Sequence, residues 1–114
     1  MTIEQDALAT AAVEAIDAYQ HRHRQFCDAS RYLASHIAKR PEVERHAYDA
    51  LNVPKGDGKL PTQTWLNANL DLDPLFSAWR ETRNQYEADV TLAQGVCRAA
   101  EFRAELAIAL VKSA

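Results

Sequence analysis

The sequence predicts an all-α fold: two long antiparallel helices, about residues 3–39 and 74–111, joined by two short helices in a helical-bundle domain spanning residues 1–114. Three observations point there. Glycine is confined to Gly56, Gly58 and Gly95, in a chain whose apolar content is largely alanine, the best helix former. Apolar residues recur at spacings that alternate between three and four over long stretches. No stretch alternates apolar and polar as a half-buried strand does.

The first long helix starts at a capping box. Thr2 and Gln5 have the S/T-x-x-E/Q spacing, and Glu4 and Asp6 suit a positive helix N-terminus. Its apolar seam reads Ala9, Ala12, Ile16, Tyr19, His23, Phe26, Ser30, Leu33, Ile37, a heptad pattern. Pro41 ends it, because the residue before proline is driven out of the α region. Pro41 also suits the first turn of a short second helix, with Glu42 and Glu44 at its start and Val43, Ala47, Ala50 and Leu51 on its apolar side. Residues 52–61, NVPKGDGKLP, form a loop. Thr62 or Thr64 caps a third helix carrying Trp65, Leu66 and Leu70. Asp73-Pro74 opens the last helix, with aspartate as N-cap and proline at the first helical position.

That last helix is apolar on two opposite sides. One stripe runs Trp79, Tyr86, Val90, Ala93, Cys97, Ala100, Ala104, Ala107, Val111. The other runs Leu92, Gly95, Ala99, Phe102, Leu106, Ala109. A helix in a small bundle needs one buried stripe. Antiparallel packing gives the first stripe its partner, because the alanine-rich start of the first helix then lies beside the alanine-rich end of the last. Pairing Ala11 with Ala104 offsets Cys27 from Cys97 by ~13 Å of rise, too far for a disulfide. Both cysteines are therefore expected as free thiols. The second stripe has no assigned partner. Leu92, Ala99, Phe102, Leu106 and Ala109 form the expected protein interface, and self-association as a dimer is the expectation.

Charge and motifs restrict the remaining functions. A net charge of −3 argues against a general nucleic-acid binder. The acidic start lacks a leader's apolar region, and no run approaches ~18 apolar residues, so a cytoplasmic protein without a membrane span is expected. His21 and His23 lie on different helical faces and cannot chelate one metal. His23 and Cys27 share a face but lack a third ligand. No metal or cofactor is expected, and no catalytic set is apparent. The KGDGK loop lacks the phosphate cradle of a P-loop and reads as a turn.

The leading expectation is thus a non-enzymatic interaction module: an adaptor, a small structural subunit, or an inhibitor or immunity-type protein. Residues 21–46 supply an alternative. They hold all four histidines and Arg22, Arg24, Arg31, Lys39, Arg40 and Arg45 against three acids. That set suits contact with nucleic acid or an acidic partner. A third reading rests on Arg31 with His36 and on Arg40 with His46. Their R-x4-H and R-x5-H spacings resemble the R-x4-6-H motif of HEPN-domain ribonucleases, themselves small helical bundles. The resemblance implies an arginine that stabilises phosphate charge and a histidine that moves a proton. Tyr32 and Pro41 stand where that family often has a polar residue.

Overall fold

The computed structural model describes residues 2–114. Every regular element among them is a helix: α1 (Ile3–Ile37), α2 (Arg40–Leu51), α3 (Gln63–Ala68), a 3-10 turn (Leu70–Leu72) and α4 (Pro74–Ser113). The helix starts follow the local chemistry. Thr2 and Gln5 close a reciprocal capping box, with the Gln5 amide donating to Thr2 Oγ1 (3.1 Å) and the Thr2 amide to Gln5 Oε1 (2.9 Å). Thr62 caps α3 by accepting from the Trp65 amide at 3.1 Å. Asp73 caps α4 by accepting from the Phe76 amide at 3.1 Å. Pro41 lies in the first turn of α2, which begins at Arg40 behind a two-residue turn. α1 therefore stops at Ile37, two residues short of the expected end, and α4 runs two residues past its expected end.

The contacts divide the chain into two compact units, and α1 and α4 each contribute to both. The first unit holds residues up to Arg31 and from Ala88 onward. Its helical segments run antiparallel: Gln5, Leu8 and Ala9 share a groove with Val111 and Ala114, while Tyr19 lies within electrostatic reach of Cys97, Glu101 and Glu105. The buried residues are small: Ala12, Cys97, Ala100 and Ala104. Small side chains let the two backbones approach closely but remove little apolar area from water.

The second unit, Tyr32–Glu87, holds the larger core. Ala47, Leu70, Phe76 and Trp79 cluster there, with Val43 and Tyr48 packed against them. Trp79 is its anchor. The indole stacks on the His36 ring (centroids 5.3 Å, 14° between planes), and Nε1 donates to the His36 carbonyl at 3.0 Å. That carbonyl belongs to the last turn of α1, where backbone acceptors lack helical partners. His36 Nε2 lies 2.8 Å from the Trp79 carbonyl. A carbonyl only accepts, so this nitrogen carries the proton. Arg40 and Arg83 hold their guanidiniums 5.8 and 5.3 Å from the indole centroid. Around this core, Tyr48 donates to Asn67, Arg80 pairs with Asp71, and Lys55 Nζ sits 4.2 Å from the centre of the Trp65 ring.

The expected α1 seam holds over most of its length. Ala12 is buried, and Ala9, Ile16, Tyr19, Phe26, Ser30 and Leu33 are half-buried. His23 and Ile37 lie exposed. His23 keeps its ring beside Cys27 Sγ (3.8 Å from Nδ1), away from the unpaired burial that costs an imidazole its hydration. Ile37 is the terminal residue of α1, and His36 takes the inward position instead.

Candidate interaction surface

The two stripes of α4 have opposite fates. Along the first, Trp79, Cys97, Ala100 and Ala104 are buried, and Tyr86, Val90, Ala93 and Ala107 are half-buried; only Val111, in the last turn, is exposed. Every member of the second stripe is exposed. Leu92 keeps 69% of its surface in solvent, Phe102 66% and Leu106 53%, and Ala99 and Ala109 are exposed beside them. Sequence reasoning missed two neighbours on the same side, Val96 and Leu110. They recur every seven residues with Arg103 between them, and that charge interrupts the apolar pattern that would have revealed them. Together Leu92, Phe102, Leu106 and Leu110 leave on the order of 450 Å² of apolar side chain in water, within the range of the largest patch on an ordinary monomer.

Gly95 lies on this face within the helix. A methyl group built there would meet nothing within 4 Å in its own chain. No close approach inside this chain requires the glycine, yet it weakens the helix by about 1 kcal/mol relative to alanine.

The polar candidates are distributed differently. Arg31 pairs with Asp28 at 2.7 Å and its side chain is mostly solvated, whereas His36 is half-buried between Trp79 and Tyr86 with Nε2 committed to a backbone carbonyl. Arg40 pairs with Glu44 at 2.6 Å over the Trp79 ring, while His46 Nδ1 faces the buried Asp73 carboxylate at 3.5 Å. Of the six basic candidates, Arg22, Arg24 and Arg31 belong to the first unit and Lys39, Arg40 and Arg45 to the second. Two of the six are neutralised by carboxylates of the same helix.

Cys27 is exposed, Cys97 is buried, and both are free thiols. Among the described residues no group of three histidine, cysteine, aspartate or glutamate side chains is placed to hold a metal. No described helix is long and apolar enough to cross a membrane. The KGDGK loop is a tight turn. Gly58 takes a positive φ of 76°, its amide donates to the Lys55 carbonyl at 2.8 Å, and the Lys59 amide donates to Asp57 Oδ1 at 2.9 Å. In the first unit the Tyr19 phenol titrates above its ordinary value of 10.0, chiefly because the Glu101 carboxylate opposes a second negative charge, with burial, Cys97 and Glu105 adding to it.

The fold and this surface together describe an all-helical chain whose most distinctive exposed feature is an apolar helix face. Compared with known proteins, the chain matches no family model, and neither a curated protein nor a solved structure is significantly similar to it.

Proposed function

We propose that this chain is a non-enzymatic protein–protein interaction module that self-associates through the outer face of α4. One observation carries the reading: Leu92, Ala99, Phe102, Leu106 and Ala109 form a heptad stripe that stays in solvent while the opposite stripe is packed. The composition of the first unit supports it. Its fully buried residues are three alanines and a cysteine, Ile16, Tyr19 and Phe26 are only half-buried, and Leu92, Phe102, Leu106 and Leu110 are exposed. Covering that face would give this unit the apolar burial that its own seam lacks.

The test is the mass of the full chain in solution by light scattering, over a range of concentrations. A dimer is expected. Phe102→Glu and Leu106→Glu are expected to dissociate it with the far-ultraviolet circular dichroism intact, since both side chains are exposed in the single chain. A wild type that stays monomeric refutes self-association. Variants that unfold would show that the stripe is internal core.

A further inference from the structure

Building on the self-association reading, we propose that two copies pack α4 against α4 antiparallel, about a twofold axis level with Ala100 and Glu101. The stripe itself specifies this register. Its spacings of three, four, three, four and three are palindromic, so reversing the helix superposes the stripe on itself. Reversal about that axis sets Leu92 against Ala109 of the second copy, Gly95 against Leu106 and Phe102 against Ala99. Each large side chain then meets a small one, the alternation that lets helical layers interdigitate. It also accounts for Gly95. The glycine has open space before it in its own chain, and in this register that space receives Leu106.

The flanking charges select the same orientation. In an antiparallel pair, the residues preceding the first position of each heptad face one another across the seam, at 91, 98 and 105. Arg98 of each copy then faces Glu105 of the other, giving two symmetric ion pairs, and both side chains are exposed in the single chain. A parallel, in-register pair would instead set Arg98 against Arg103, like charge against like, and would stack Phe102 on Phe102 with Gly95 facing Gly95. The antiparallel overlap, 88–113, spans ~39 Å of helix and lies wholly in the part of α4 that belongs to the first unit. The four large apolar side chains supply on the order of half of the ~800 Å² per partner of a standard stable interface, and the alanines and arginine stems add to that.

A charge-exchange series on the full chain tests the register, read as the dimer dissociation constant by sedimentation equilibrium at low ionic strength. Arg98→Glu and Glu105→Arg are each expected to weaken the dimer about tenfold, and the double exchange to restore it to within about threefold of wild type. Gly95→Leu, which finds open space in the single chain, is expected to weaken the dimer while leaving the circular dichroism unchanged. A tighter Arg98→Glu dimer would indicate the parallel arrangement and overturn the proposal. So would dissociation constants that do not change across the series, although a dimer sensitive to Phe102→Glu would still uphold self-association. A wild type that remains monomeric into the millimolar range removes both readings and makes a different protein the occupant of the face.

Discussion

Replacing Trp79 by phenylalanine isolates what the indole does in the second unit. The ring is 5% exposed and stacks on His36, with Phe76 tilted against it at 5.8 Å. Phenylalanine keeps an aromatic face for His36 and for the guanidiniums of Arg40 and Arg83. It also leaves the Trp79 carbonyl in place to accept from His36 Nε2. Two things are lost. One is the Nε1 hydrogen bond to the His36 carbonyl, about 1 kcal/mol net, since that carbonyl also accepts from the Lys39 amide at 3.1 Å. The other is the volume of the fused ring, ~40 Å³ of cavity at ~24 cal/mol per Å³, or about 1 kcal/mol. The expected destabilisation is therefore about 2 kcal/mol, against about 3–5 kcal/mol for Trp79→Ala, which also removes the stacking platform. Urea unfolding followed by circular dichroism measures both. A loss below ~0.5 kcal/mol for Trp79→Phe, with Trp79→Ala no worse than ~1 kcal/mol, would refute the anchoring role.

Further outcomes follow from single contacts. Asp73→Ala should cost about 1–2 kcal/mol, because a buried cap is removed from the Phe76 amide and His46 loses its facing carboxylate; Asp73→Asn should recover most of that in the same unfolding assay. Gly95→Ala should raise the thermal stability of the dissociated chain by about 0.5–1 kcal/mol, since the added methyl meets nothing, and should weaken self-association at the same time. In an absorbance titration, Tyr19 should ionise above 10.0, and Glu101→Gln should lower its midpoint. Because the unfolded chain gives up this proton first, the contribution of Tyr19 to stability should fall as pH rises from 10.0 through the raised value. Native labelling with a thiol reagent should modify Cys27 rapidly and Cys97 only after unfolding, with no internal disulfide by mass.

The elements were legible because local chemistry determines them. Thr2 with Gln5, Thr62 and Asp73-Pro74 each satisfy backbone amides within a few residues, so their sequence signatures became helix starts. The two-stripe pattern of α4 was equally legible, since a helix of forty residues repeats its faces often enough to separate them. What the sequence could not supply was non-local. The sequence places His36 in a basic, histidine-rich segment and at R-x4-H spacing from Arg31. Its actual environment, between Trp79 and Tyr86, depends on residues more than forty positions away. Leu70, expected in the third helix, falls in the 3-10 turn beyond Ala68, where the Asn69 side chain bonds back to the Trp65 carbonyl at 2.8 Å and helps end the helix.

The alanine seam of the first unit also bears on how the chain opens. Free energies of local opening scale with the apolar area that an element keeps from water, and Ala12, Cys97, Ala100 and Ala104 keep little. Backbone amides of α1 before Arg31 and of α4 after Ala88 should thus exchange with solvent deuterium well before those around Trp79, although α4 runs unbroken through both regions. Pairing α4 with a second copy would then slow exchange most in the stretch that is otherwise quickest to open, so deuterium uptake there becomes a concentration-dependent reporter of assembly.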